Sequence, residues 1–136
     1  MYKNIKKEFD KNGFVRIKNV LDYKLDLEPI LNDMAFIMNR IVHRFVSKKD
    51  KKRVLNLNFK KKYSYLVRLG IPELDQYFNI RLPHKNITVD SDFFASQSIF
   101  NLIKNRKIIE KVSKILGTEI SSNPCQNSRI KQPEKG

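Results

Sequence analysis

The chain has 136 residues, 40% of them hydrophobic and 31% charged, which is typical of one globular domain. No apolar run approaches the roughly 18 residues that span a bilayer, and the charged N-terminus lacks the apolar core of a signal peptide. A single cysteine excludes an internal disulfide, so a cytoplasmic location is expected.

The N-terminal residues predict a helix followed by a strand. A helix over residues 2–11 is indicated by apolar residues at helical spacing, namely Tyr2, Ile5 and Phe9. Gly13 can adopt the positive φ that ends a helix. Residues 14–20 then alternate with a period of two, which predicts a short strand with Val15 and Ile17 on one face.

The next segment predicts the longest helix of the chain. Asp26 is expected to cap it, and Pro29 falls in its first turn, where a missing N–H costs nothing. An apolar stripe follows, formed by Leu27, Ile30, Leu31, Met34, Ile37, Met38, Ile41 and Phe45. Such a stripe predicts an amphipathic helix with one side in the core.

Beyond Ser47 the helical pattern dissolves into two lysine-rich runs. A helix is predicted over residues 58–69, ending at Gly70, and a short helix over residues 72–78. No regular pattern is visible over residues 79–89.

The C-terminal part predicts two helices and then two strands. Ser96 or Gln97 opens the first helix, and the second covers residues 106–116 and stops at Gly117. The second helix is expected to bury its apolar residues, namely Ile108, Ile109, Val112, Ile115 and Leu116. Strands are predicted over residues 119–122 and 126–131. The expected fold class is therefore α+β.

Three stretches carry a resemblance to a known family through their order and spacing. Residues 9–22 are FDKNGFVRIKNVLD, residues 114–120 are KILGTEI and residues 123–134 are NPCQNSRIKQPE. They resemble the opening helix and strand, the "LlG-x-x-i" step and the "Q-x-x-x-x-K-x-P" strand of the phytanoyl-CoA dioxygenase family. The resemblance extends over essentially the whole chain.

This resemblance implies an Fe(II)- and 2-oxoglutarate-dependent dioxygenase that hydroxylates a small organic or acyl substrate. Its fold would be a double-stranded β-helix, the jelly-roll of cupin-like proteins. Such enzymes hold iron with two histidines and one carboxylate, leaving positions open for 2-oxoglutarate and O₂. The family's His-x-Asp motif would come shortly after Pro133.

Under this resemblance, residues 1–136 are the N-terminal portion of one domain that is incomplete at the C-terminus. The portion would hold a mostly helical half and the first strands of the barrel. Because it lacks the metal triad, it is expected to bind neither iron nor 2-oxoglutarate specifically and to be inactive alone. Helix faces that normally pack on the barrel would be uncovered, so self-association through them is expected.

Lys131 is the residue that the resemblance assigns to cofactor binding. The family's lysine at this position points into the barrel mouth, where an ammonium can neutralise a carboxylate of 2-oxoglutarate or substrate. The alternative is an ordinary surface lysine. Neither histidine has a ligand partner at a suitable spacing, and Cys125 has no histidine nearby in the sequence. His43, His84 and Cys125 are therefore interpreted as surface or filling residues.

A basic block lies between Arg40 and Arg68, with eleven lysines or arginines and one acid, Asp50. Phe59, Tyr63 and Tyr65 are interleaved among the basic residues. Basic and aromatic residues together can bind single-stranded nucleic acid, so a small basic nucleic-acid-binding protein is the alternative function. Helical spacing favours aromatic residues in the core and lysines on a solvated face, which makes nucleic acid the less favoured partner. A third hypothesis is that the block attracts an anionic substrate.

Overall fold

The computed structural model describes residues 5–71, 74–78, 94–123, 128 and 130. Its elements are α1 (Ile5–Asn12), a π-helical turn (Tyr23–Leu27), α2 (Glu28–Phe45), α3 (Lys48–Leu55), α4 (Phe59–Arg68), a 3-10 helix (Leu74–Phe78), α5 (Gln97–Ile103) and α6 (Arg106–Leu116). No β-strand occurs within these described ranges. The described part is mostly helical, and the expected α+β class with the first strands of a jelly-roll is wrong for it.

The long helix α2 is the centre of the packing, as its apolar stripe predicts. It packs against the π-helical turn, α3, α4, α5 and the 3-10 helix. Its buried residues are Ile37, Met38, Ile41 and Val42. Other helices and the segments between them complete one hydrophobic core, to which they contribute Val46, Val54, Tyr63, Leu66, Ile71, Leu74, Phe78, Phe94 and Ile99.

The helix α3 was not predicted by the sequence pattern. Ser47 caps it, since its Oγ accepts a hydrogen bond from the backbone N–H of Asp50 at 3.2 Å. Val54 is completely buried, while most other residues of α3 are charged. Two apolar residues are too few to form a recognisable apolar stripe, which is why the hydrophobic pattern did not predict this helix. The pairing of Ser47 with an acid three residues later is the sequence signal that locates the start of α3.

The segment 14–20 is not a strand, contrary to the prediction. Val15 and Ile17 are half-buried, whereas residues 14, 16 and 18 are exposed. The predicted alternation of faces therefore holds up to residue 18. Asn19 then takes a positive φ of 58°, which reverses the alternation and leaves Val20 half-buried. Alternation predicts which side chains face the protein, but a strand also requires a neighbour to pair with.

The strand predicted over residues 119–122 is also wrong, because these residues form no ladder. Most of the strand predicted over 126–131 lies outside the described residues. Of it, Ser128 and Ile130 are described, and neither belongs to a strand. Ile130 packs against the core, and Ser128 Oγ donates a hydrogen bond to the carbonyl of Phe78.

The helix α6 has the predicted bounds, and Gly117 ends it with φ 106°. It packs against α1. The burial expected for its apolar side does not occur, since no residue of α6 is buried. Ile109 is 40% exposed and Leu116 is 67% exposed. The prediction was wrong because an amphipathic stripe shows which side can be buried, whereas burial also requires elements that cover that side.

Asp26 does not cap α2 as predicted. The chain is already helical from Tyr23, so Asp26 lies inside the π-helical turn, and Asp22 caps that turn through Leu25 N at 2.9 Å. Asp26 Oδ1 instead accepts a hydrogen bond from Asn105 Nδ2 at 2.8 Å. This carboxylate therefore connects the beginning of α2 to the beginning of α6.

Candidate functional site

Lys131, the predicted cofactor-binding residue, lies outside the described residues. The nearest described positions are Ser128 and Ile130, which contact the 3-10 helix and the core. His84 and Cys125 also lie outside the described residues. His43 is exposed on α2.

The described residues do not fit the iron that the resemblance implies. No group of three or more His, Cys, Asp or Glu side chains able to hold a metal ion occurs among them. Iron held by two histidines and a carboxylate requires such a group with open positions for substrate. No chemical step can be derived through iron from the side chains that the structure describes.

A cleft of about 480 Å³ lies between the π-helical turn, α2 and α5. Its polar wall includes Asp26, Asp33 and Ser98. The two carboxylates already have partners: Asp33 accepts from Ser98 Oγ, while Asp26 accepts from Asn105 and lies 3.9 Å from Lys107 Nζ. These hydrogen bonds hold the beginning of α2 against α5 and α6, which is a structural role.

The basic block forms a surface on α3 and α4, whose residues are all described. The exposed side chains of the two helices are all cations: Lys48, Lys49, Lys52, Arg53, Lys60, Lys61 and Arg68. We call this set the cationic surface. Protein surfaces usually intersperse charges of both signs, so a surface of one sign gives a strong local positive potential.

Asp50 offsets only a small part of the charge of the cationic surface, since its main partners are Arg53 and Ser47 and it interacts more weakly with Lys49. Its Oδ1 lies 2.9 Å from Arg53 Nη2, and its Oδ2 accepts a hydrogen bond from Ser47 Oγ at 3.0 Å. These bonds from Arg53 and Ser47 hold the pKa of Asp50 below its usual range. Bonding to Asp50 raises the pKa of Arg53, whose guanidinium also lies 5.4 Å from the centre of the Tyr65 ring.

The aromatic residues of the basic block belong mainly to the core, as the helical spacing predicted. Tyr63 is buried, its ring packs edge-on against Phe78, and its hydroxyl donates to Asp75 at 2.7 Å. Phe59 and Tyr65 are half-buried against the same core. Tyr63 therefore cannot stack on a base without opening the fold, and Phe59 and Tyr65 expose only part of their surface.

Lys62 is a buried member of the basic block that sequence analysis did not distinguish from its neighbours. It is 7% exposed, and its Nζ donates to Asn39 Oδ1 at 2.7 Å. Burial disfavours the charged ammonium and lowers the pKa of Lys62. Lys62 directly follows two exposed lysines, so its residue type gives no sign of its burial. Only its position on the side of α4 that also carries Leu66, four residues later, could have indicated it.

One exposed side of α2 combines guanidinium groups with aromatic rings. The Arg40 guanidinium lies 5.9 Å from the centre of the Phe36 ring, and Phe36 is 62% exposed. At the end of the helix, the Arg44 guanidinium lies 5.3 Å from the Phe45 ring. Lys51 Nζ donates to His43 O at 2.9 Å, which holds α3 against this end of α2.

Comparisons of the chain with protein-family models, curated proteins and solved structures found no match. Every helix in the described ranges is too short or too polar to cross a membrane.

Proposed function

We propose that this chain is the helical part of an Fe(II)- and 2-oxoglutarate-dependent dioxygenase that hydroxylates a small organic or acyl substrate. The proposal rests on the resemblance of residues 9–22, 114–120 and 123–134 to the phytanoyl-CoA dioxygenase family. Iron would be held by residues outside the described part, and Lys131 would contact 2-oxoglutarate.

The observation that supports the proposal best is the packing of α1 against α6. Residues 9–22 begin in α1, and residues 114–120 begin in α6. Residues 23–113 separate these two stretches in the sequence, yet the helices that lead into them are neighbours. Two of the three stretches that carry the resemblance therefore belong to one packed unit, as parts of a single domain should.

The first test is the coding sequence beyond the codon for Gly136. We expect an in-frame His-x-Asp motif within a few tens of codons, followed later by a second histidine and an arginine. A downstream sequence without a His-x-Asp motif would refute the proposal.

The second test is chemical and uses the protein encoded by the extended reading frame. With Fe(II), O₂ and 2-oxoglutarate, it should release succinate, whereas residues 1–136 alone should release none. Lys131→Ala should raise the KM for 2-oxoglutarate about tenfold, because a carboxylate loses a charge-assisted hydrogen bond. Lys7→Ala, an exposed lysine of α1, is the matched control and should leave KM unchanged.

We also propose that the chain self-associates through exposed apolar residues near its two ends. Phe14 and Leu116 are each 67% exposed, and Ile109 is 40% exposed. Burying such side chains against a second copy is favourable at about 25 cal/mol per Å². Sedimentation over a range of concentrations should reveal dimers that Leu116→Lys weakens, and a monomer at all concentrations would contradict this proposal.

A further inference from the structure

The cationic surface differs from an ordinary solvated face in two ways. All exposed side chains of α3 and α4 are cations, and the single acid of the basic block, Asp50, is already bonded to Arg53 and Ser47. The described helix α3 therefore carries five cations against one carboxylate and keeps a net positive charge. A surface of this kind attracts a polyanion such as a nucleic acid, because its cations replace the counterions condensed on the polyanion and so release them.

The exposed side of α2 extends this positive region. Arg40 and Arg44 follow Phe36 at intervals of four residues, so the three lie along one side of the helix. The bond from Lys51 Nζ to His43 O fixes α3 at the end of this side. Arg44, the residue after His43, is therefore close to α3, and Arg40 and Phe36 follow one and two turns further along α2.

We propose that the cationic surface, together with Phe36, Arg40 and Arg44, binds single-stranded nucleic acid through its phosphate backbone. The lysines contact successive phosphates without reading sequence. The flat faces of Phe36 and its guanidinium neighbour accept an unpaired base, as aromatic rings and arginines do in proteins that bind single strands. This inference is independent of the proposed dioxygenase function.

A nucleic acid fits this surface better than an anionic membrane does. Interfacial helices insert an apolar side between the lipid headgroups while their cations contact the phosphates. The exposed sides of α3 and α4 offer no apolar residue for insertion. The unpaired bases of a single strand also give the exposed Phe36 ring a partner.

The test is fluorescence anisotropy of labelled oligo-uridine and oligo-deoxythymidine over a series of KCl concentrations. We expect a dissociation constant in the micromolar range or below at low salt. The slope of log K against log salt should be about −3 to −5, because each phosphate contact on a single strand contributes about −0.7. Equal binding of both oligomers indicates phosphate recognition, and preference for oligo-uridine indicates additional contacts to the 2′-hydroxyl; both outcomes support the proposal.

Two triple variants with the same change in net charge separate the contribution of the cationic surface from that of overall charge. K48Q/K49Q/K52Q removes exposed lysines of α3, and K7Q/K11Q/K18Q removes exposed lysines at the N-terminal end. The first should reduce the slope by about 2 and the affinity by roughly a hundredfold at about 0.1 M salt, while the second changes little. Circular dichroism verifies that both variants keep their helices.

Phe36→Ala separates stacking from charge. It should weaken binding of the single strand by about fivefold or more, with an unchanged salt slope and unchanged binding of a duplex. Absence of binding at low salt would overturn the proposal, as would equal losses in the two triple variants. Binding of phosphatidylserine vesicles without binding of either oligomer would assign the surface to lipid instead.

Discussion

Val54 of α3 is completely buried in a helix made mostly of charged residues, whereas α6 has a continuous apolar side and buries none of its residues. The two helices differ in what surrounds them. α3 packs against both α2 and α4, while the packing of α6 is chiefly against α1. The number of neighbouring elements, rather than the pattern of the helix itself, decides how much apolar surface leaves water.

The helices that pack against α3 and α6 also differ in how many residues they bury. α2 and α4 supply Met38, Ile41, Val42 and Leu66, each at most 1% exposed, whereas α1 buries only Ile5 among its residues. Stability should therefore be concentrated in the packing of α2, α3 and α4. The layer of α1 and α6 should be the first part of the described fold to open.

The largest expected effect comes from removing a core side chain of α2. Met38→Ala should lower the free energy of unfolding by about 2–5 kcal/mol, because Met38 is 0% exposed and its loss leaves a cavity. At dilutions where the protein is monomeric, Leu116→Ala, which truncates a 67% exposed side chain of α6, should cost no more than about 0.5 kcal/mol. Urea unfolding followed by circular dichroism measures both changes. A comparable cost for Leu116→Ala would mean that another surface covers α6 in solution.

A smaller effect is expected from the helix cap of α3. Ser47→Ala removes the hydrogen bond to Asp50 N and should lower the free energy of unfolding by about 1 kcal/mol. Ser113→Ala in α6 is the matched control, since its Oγ bonds only to the Ile109 carbonyl within the helix. That substitution should be neutral or slightly stabilising. Thermal unfolding measures both variants. Equal losses of stability for Ser47→Ala and Ser113→Ala would show that the cap of α3 contributes no more than an ordinary serine within a helix.

The smallest effect near neutral pH is expected at Lys62. Lys62→Met removes a desolvated cation but leaves Asn39 Oδ1 without its donor, so the two contributions should cancel to within about 1 kcal/mol. The informative quantity is the dependence of the unfolding free energy on pH. Because burial lowers the pKa of Lys62 in the folded state, the unfolded state binds more protons between that lowered pKa and the ordinary value of 10.5.

The stability of the unmodified protein should therefore rise with pH across that window, and Lys62→Met should lose this part of the rise. Lys52→Met, at an exposed lysine of α3, should keep it. Urea titrations at several alkaline pH values compare the three proteins. Parallel pH curves for all of them would show that Lys62 is not desolvated.

Patterns confined to a single element were predicted well. The cap of α5 at Ser96 and the end of α6 at Gly117 agree with the structure. The stripe of α2 agrees at Ile37, Met38 and Ile41, whereas Leu31 and Phe45 are exposed. Each depends on interactions within a few residues, such as a side chain that accepts a backbone N–H or a glycine that takes a positive φ.

Apart from α3, whose local cap at Ser47 was not used, the predictions that went wrong required a partner far along the chain. Residues 14–20 and 119–122 have the composition of strands but no strand beside them. Asp26 was assigned to the cap of α2, yet its hydrogen bond goes to Asn105. The cationic surface could be located in the sequence, whereas the separation of buried Lys62 from its exposed neighbours could not.

The sequence by itself determined where most helices begin and end and that the segment from Arg40 to Arg68 is strongly basic. The tertiary structure decided which apolar sides are covered, that α1 meets α6, and that the exposed residues of α3 and α4 are all cations. The physical reason is that helix formation is governed by short-range backbone hydrogen bonds and steric preferences. Burial and surface charge depend on which distant segments come together, and no local pattern records that.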